Sequence, residues 1–226
     1  MTQSQARHEM KYLINPIDAA ALRHRLRAVL RPDAHAGPGG YRIRSLYFDN
    51  QDNKALREKL DGVNVREKFR IRFYNADPSF IRLEKKCKAH GLCRKTATPI
   101  TRAGCERLLQ GDTLWLRDAE DPLLLELYCK MASQGLRPKV IVDYDREAFV
   151  FGPGNVRVTL DSHVRTALQA TELFRPDLSM AEAQAHALVL EVKYDAYLPD
   201  LVRDLIQTNT RQTSTFSKYA VCRIYG

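Results

Sequence analysis

The stretch Arg66-Glu67-Lys68-Phe69-Arg70-Ile71-Arg72-Phe73-Tyr74 decides the fold. Side chains of a strand alternate between two faces, so these nine residues sort into two surfaces. One carries Arg66, Lys68, Arg70, Arg72 and Tyr74; the other carries Glu67, Phe69, Ile71 and Phe73. The same sorting recurs far along the chain. In Phe80–Lys88, Arg82, Glu84, Lys86 and Lys88 oppose Ile81, Leu83, Lys85 and Cys87. In Val156–Asp161, Arg157, Thr159 and Asp161 oppose Val156, Val158 and Leu160. In Leu188–Tyr194, Val189, Glu191 and Lys193 oppose Leu188, Leu190, Val192 and Tyr194. Arg146 ends a strand in which Val142 and Tyr144 share its face.

An antiparallel sheet with one face in water alternates in this way too. Such a wet face mixes both signs, because like charges on neighbouring strands repel. Here the polar faces are mostly Arg and Lys, with few carboxylates between them. The chain also supplies helices whose apolar sides need a surface. Asn15-Pro16 opens one that runs to about Leu30, apolar on one side and basic at Arg23, Arg25 and Arg27 on the other. Gln51–Leu60 forms a short one, Thr101 caps one ending at Gly111, and Asp121-Pro122 opens one ending near Gly135. Leu198–Gln207 and Thr215–Arg223 close the chain as helices. Further strands fall at Tyr41–Phe48 and Lys139–Val150, with turns at Asp61-Gly62, at Asn75–Pro78 and around Gly152-Pro153-Gly154.

If the sheet curls with the helices outside, its apolar faces pack outward and its cationic faces line a lumen. A cationic interior is tolerable only with anions or interleaved carboxylates present. Multiple phosphates fit, because Arg takes their oxygens in bidentate fashion. The expectation is therefore an α+β fold, an antiparallel β-barrel with helices packed outside, gripping a chain of phosphates. There is no internal repeat, low-complexity segment or linker, so residues 1–226 are expected to form a single domain.

Composition agrees. The 226 residues are 44% hydrophobic and 28% charged, which suits a globular chain rather than a disordered one. A formal charge of +9 fits an anionic partner (nucleic acid, a phosphate-rich small molecule or an anionic membrane surface) or merely a solvated basic surface, so the placement of the charges decides. No apolar run approaches the ~20 residues that span a bilayer, and Met1–Lys11 has no signal-like apolar stretch, so a cytoplasmic location is expected. Cys87, Cys93, Cys105, Cys129 and Cys222 include no CxxC pair and read as free thiols, Cys129 as a core residue of its helix. His8, His24 and His35 read as surface residues, and no Cys or His pair has zinc-ligand spacing. Gly37-Pro38-Gly39-Gly40 lacks the Gly-Lys-Ser/Thr of a P-loop, and the kinase signatures are absent. With no recognition helix and no aromatic platform interleaved with the basic strands, sequence-specific nucleic-acid binding is not expected. Glu191, two residues before Lys193, is either a ligand for Mg²⁺ or Mn²⁺ or the partner of an inward cation; Glu9 before Lys11 repeats its pattern.

Eight short motifs follow in order: Arg7–Tyr12, Ser45–Asp49, Arg70–Tyr74, Leu83–Lys86, Tyr144–Phe149, Val156–Asp161, Leu190–Lys193 and Phe216–Tyr219. As an ordered set they resemble the catalytic domain of the vacuolar transporter chaperone (VTC) complex. That domain is a polyphosphate polymerase of the triphosphate tunnel, or CYTH-like, superfamily. The resemblance runs from residue 7 to about residue 220. It implies an eight-stranded antiparallel tunnel with charged walls. Its phosphate-binding set falls on Lys11, Lys59, Arg70, Arg72, Lys86, Arg146, Arg157 and Lys218, with Lys95 and Lys193 as further members and Glu191 as metal ligand. Lys59 stands where the family pattern has Arg, and Lys95 aligns loosely beside Arg94. The implied reaction moves the γ-phosphoryl of ATP onto phosphate or polyphosphate, with Mn²⁺ or Mg²⁺, releasing ADP. Arg70, Arg72, Arg146 and Arg157 would clamp phosphate oxygens, and Lys86 and Lys218 would neutralise the leaving and attacking groups. The implied partners are ATP and inorganic polyphosphate or pyrophosphate. There is room for a membrane-protein partner, although the chain itself has no membrane segment. Two alternatives stay open: a triphosphatase or NTPase using water, which needs more inward carboxylates, and a non-catalytic polyphosphate-binding module.

Overall fold

The structure is a computed structural model that describes residues 2–3, 5–37, 39–167, 172–185, 187–208, 212–214 and 216–224. Its frame is eight strands: β1 His8–Ile14, β2 Tyr41–Asp49, β3 Arg66–Tyr74, β4 Asp77–Ala89, β5 Leu92–Pro99, β6 Arg137–Phe151, β7 Val156–Ala167 and β8 Leu188–Tyr194. Their order in space is β5-β4-β3-β2-β6-β7-β8-β1, antiparallel throughout. The two end strands meet. Arg7 and Cys93 exchange both backbone hydrogen bonds at 3.0 Å, and Thr2–Gln3 pairs with Thr96–Ala97 further along β5. The sheet thus curls until its edges touch, which leaves little open edge.

Local chemistry explains the hairpins. Asn75 and Ala76 have φ of 52° and 56°, and His90 and Gly91 have φ of 49° and 81°. Two successive residues in the left-handed region make a tight turn that matches strand twist. This is why β4 already starts at Asp77, where the sequence suggests a longer turn. Two strands went unread in the sequence. β1 looks like a polar N-terminus, and β5 has almost no large apolar residue to set a period. β7 runs six residues past Asp161, across a register irregularity opposite Asp143–Asp145.

The helices are α1 Pro16–Val29, α2 Lys54–Leu60, α3 Arg102–Leu109, α4 Leu114–Arg117, α5 Pro122–Gln134, α6 Asp200–Leu205 and α7 Lys218–Ile224. The short α4 was not expected. Thr215, where the last helix was expected to begin, lies outside the described residues. Caps form where the sequence places them: Asn15 accepts from Asp18 N at 2.7 Å, Thr101 from Gly104 N at 3.0 Å and Asp121 from Leu123 N at 2.8 Å. Gly135 ends α5 at φ 65°.

The convex face of the sheet is apolar and carries two layers. Leu46, Phe69, Ile71, Phe73 and Leu83 bury against Cys105 and Leu108 of α3, Leu116 of α4, and Leu123 and Leu127 of α5. Ile14, Val158, Leu160, Leu190 and Val192 bury against Leu22 and Leu26 of α1 and Val202 of α6. Cys129 is not core. It is exposed, because Leu123 and Leu127 define the buried side of α5 and Cys129 faces away from them. Among the described residues no helix is long and apolar enough to cross a membrane.

The last helix, and with it α2 through Ala55 and Leu56, departs from the arrangement of helices outside. α7 packs against inward residues of β2 and β6. Tyr219 lies over Tyr47, their ring centres 5.1 Å apart, and donates a hydrogen bond to Asp49. Cys222 joins Val140, Val142 and Tyr144. The concave face of the curl is therefore partly filled by the end of the chain, which carries Lys218 into it.

Candidate functional site

The concave face encloses a cavity of about 350 Å³ and, continuous with it, a smaller one of about 160 Å³. Each strand contributes by its period of two. Lys11 comes from β1, Arg70 and Arg72 from β3, Lys86 from β4 and Lys95 from β5. Arg146 comes from β6, Arg157 from β7, Glu191 and Lys193 from β8, and Lys218 from α7. All of these anticipated residues share the larger cavity. Lys59, at the end of α2, does not; it lines the smaller one with Arg66 and Lys88.

Register then decides the ion pairs. Arg70 opposes Glu84, and its Nη2 lies 2.6 Å from Glu84 Oε2. Arg146 opposes Asp161 and donates to both of its oxygens, at 2.6 and 2.7 Å. Lys218 reaches the same carboxylate at 2.5 Å. Lys86 donates to both oxygens of Glu9 at 2.6 and 2.8 Å, Lys95 lies 3.1 Å from Glu84, and Lys193 lies 2.6 Å from Glu191. Lys11 stands between Glu9 at 3.2 Å and Glu191 at 3.5 Å. Arg157 pairs with the buried Asp33 at 2.5 Å.

The lumen is therefore less single-signed than the sequence suggests. Glu9, Glu84, Asp161 and Glu191 interleave with the cations, although cations stay in excess. Glu9 was legible only as a repeat of the Glu191–Lys193 spacing; its place in the lumen follows from β1, which went unread as a strand. Glu84 and Asp161 were visible on the cationic faces but were outnumbered there. Their presence follows from the cost of confining unpaired like charges.

All four carboxyls are held below their ordinary range. Burial resists this in each case, but nearby cations outweigh it. Arg70, Arg72 and Lys95 act on Glu84, Arg146 and Lys218 on Asp161, and Lys193, Lys11, Arg146 and Lys218 on Glu191. For Glu9, burial and Glu191 resist, while Lys11, Lys86 and Lys193 prevail.

Tyrosines are the other feature that sequence reasoning missed. Tyr47 OH accepts from Arg70 Nη1 at 2.9 Å, Tyr144 OH from Arg72 Nη2 at 2.9 Å and Tyr41 OH from Arg157 Nη2 at 2.7 Å. Ser45 Oγ accepts from Arg72 Nε at 3.0 Å. Each guanidinium is thus fixed on one side by a phenol or carboxylate. Fixed forks lose less side-chain freedom when an anion arrives. The signal was available: Tyr74 shares its face with Arg72, and Tyr144 with Arg146.

Glu191 and its surroundings fit a hard divalent cation in one respect. Thr159 lies opposite Glu191 in the β7–β8 register, and its Oγ1 is buried without a hydrogen-bond partner. No group of three or more Asp, Glu, His or Cys among the described residues could cage a metal. An ion here would take one or two carboxylate oxygens and complete its shell with phosphate and water, as Mg²⁺ does.

The curled antiparallel sheet with a cationic lumen matches the triphosphate-tunnel fold. The chain belongs to the VTC domain family, whose profile matches residues 6–224. No curated protein matches it. Among solved structures it is similar to a candidate adenylate cyclase of Bacillus halodurans, at 13% identity and TM-score 0.50, covering 85% of this chain and 82% of that one. Other similar structures are a protein of Pyrococcus horikoshii OT3 (12% identity, TM-score 0.49, 94% of each chain) and the Mimivirus capping enzyme triphosphatase (11%, 0.41, 91% of each chain). At these identities the Bacillus likeness is one of fold alone.

Proposed function

We propose that this protein is a phosphotransferase that moves the γ-phosphoryl of ATP onto phosphate or polyphosphate and releases ADP. The observation that carries this reading is the lumen itself, with Arg70, Arg72 and Arg146 already fixed by phenols and carboxylates around one cavity. Phosphoryl transfer asks a protein mainly for positioning and charge neutralisation. Arg70 and Arg72 would hold phosphate oxygens, with Arg146 and Arg157 on the facing wall. Lys86 and Lys218 would offset charge on the attacking and leaving groups. Each leaves a carboxylate to do so, Glu9 and Asp161 respectively. Lys11, Lys95 and Lys193 would extend the phosphate path, and Lys59 would continue it into the smaller cavity. Glu191, with Thr159 beside it, would hold Mg²⁺ or Mn²⁺, which supplies charge neutralisation at the phosphates. The acceptor is already anionic, so the residues need not include a strong general base.

One observation favours a second reading. Four inward carboxylates are more than the sequence suggested, and a triphosphatase needs such groups to orient water. Incubation with ATP and Mn²⁺, measuring ADP, free phosphate and polymer separately, separates the two. ADP with polymer supports transfer to phosphate; ADP with stoichiometric free phosphate contradicts it.

Glu191→Gln separates catalysis from binding. Metal-dependent ADP release is expected to fall on the order of 10²-fold or more. Tripolyphosphate affinity should hold or rise, since one repulsive carboxylate is gone. Full ADP release from a destabilised variant would leave Glu191 as an ion-pair partner only.

A further inference from the structure

The two cavities join at a waist made by Glu9, Lys11, Lys68, Lys86, Cys93 and Ser217, which line both. Two of its three cations have carboxylates. Lys11 lies 3.2 Å from Glu9 and 3.5 Å from Glu191, and Lys86 lies 2.6 Å from Glu9. Lys68 has no carboxylate within 4.0 Å among the described residues. Its ammonium stands instead 5.5 Å from the ring centre of Tyr47 and 5.9 Å from that of Tyr219. The groups around it are Tyr47 from β2, Tyr219 from α7, Lys86 from β4, and Lys11 and Glu9 from β1. Arg66 and Arg70 flank it along β3, and Lys59 of α2 and Lys88 of β4 share the smaller cavity with it.

An ammonium half-buried beside rings and other cations, at the lining of both cavities, is a poor place for charge and a good place for an anion. Burial brings the Lys68 amine down to about 7; Tyr47 opposes this, and Lys86, Lys11 and Arg70 reinforce it. The Tyr47 phenol is also displaced. Burial resists its ionisation, but Arg70, Lys68 and Arg72 bring it to about 7. Near neutral pH the empty waist therefore holds fewer protons than a full complement of ammonium and phenol. A phosphate oxygen placed there reverses the balance, because a nearby negative charge favours the ammonium.

We propose that Lys68 is a ligand for a phosphate chain that passes the waist, and that its engagement draws one proton from solvent. This rests on the reading of the lumen as a phosphate site. The sign follows from linkage. The free amine titrates near 7 and the engaged amine higher, so affinity is independent of Lys68 titration below that point. Above it, affinity falls with rising pH, by at most about tenfold per pH unit.

Calorimetric titration with linear polyphosphate, in buffers of different ionisation enthalpy, tests this at about pH 8, where the linkage is open. The wild-type protein should take up about one proton more per chain bound than Lys68→Arg, whose guanidinium stays charged throughout. Lys68→Met should lose roughly tenfold in affinity at about pH 6.5, where the wild-type amine is charged. Melting curves establish that each variant folds, and Lys68→Arg carries the test if Lys68→Met does not. Equal proton uptake by wild type and Lys68→Arg overturns the assignment, and uptake lost only in Tyr47→Phe moves it to the phenol. Undiminished affinity in Lys68→Met overturns it as well. Absence of polyphosphate binding by any form at either pH overturns both this proposal and the phosphate reading of the lumen.

Discussion

Asp161→Asn is expected to cost the folded state about 3–5 kcal/mol and to make its stability depend strongly on phosphate. Asp161 is fully buried and receives both Arg146 forks and Lys218. The substitution preserves volume, so the cost is electrostatic: two confined cations lose their counter-charge. Urea unfolding should show a lower midpoint at unchanged slope. Tripolyphosphate should restore more stability to the variant than it adds to the wild type, because a ligand that binds only the folded state stabilises by mass action. A destabilised variant that tripolyphosphate does not rescue would mean that Arg146 and Lys218 do not meet the ligand. The pH dependence has a definite sign. The carboxyl is depressed in the folded protein, so its contribution is present above the unfolded value near 4. It is lost as pH falls through the lower folded value. The variant should lack that acid-side loss.

Arg72→Ala is expected to weaken tripolyphosphate binding by about 1.5–3 kcal/mol, roughly ten- to hundredfold, with little loss of stability. Its neighbour Arg70 holds Glu84 at 2.6 Å, so removing Arg70 would mix two effects. Arg72 is 3.9 Å from that carboxylate and is fixed by Ser45 and Tyr144 instead. Its loss leaves hydroxyls that water can satisfy, not an orphaned charge. Lys in its place should recover only part of the affinity, since an ammonium cannot reproduce the fork. Calorimetric titration of the three forms decides the matter, and unchanged affinity in Arg72→Ala removes it from the site.

The alternation around Arg66–Tyr74 made most of this architecture legible. A period of two with cations on one side and Phe, Ile and Leu on the other dictates which face the helices cover. That face is the convex one, with Phe69, Ile71 and Leu83 buried against α3 and α5. β5 was illegible because Cys93, Arg94, Lys95 and Thr96 give no apolar rhythm; its place depends on pairing with β4 and the seam at Arg7. The side on which α7 packs was illegible as well. Its apolar residues fit either face, and the Tyr219–Asp49 hydrogen bond that holds it inside spans the chain. Within the site, residue types were readable and partners were not. Arg146 finds Asp161, and Arg70 finds Glu84, only once strand register is set. Lys68 was visible on the right face, yet the absence of a carboxylate beside it emerges only in three dimensions.

The central claim is that this lumen grips a chain of phosphates, and a crystal structure with tripolyphosphate tests it most directly. Phosphate density is predicted inside the curl, within hydrogen-bonding distance of at least two of Arg70, Arg72, Arg146 and Arg157. Density confined to the outer surface, with these side chains still held only by their own carboxylates and phenols, would contradict it.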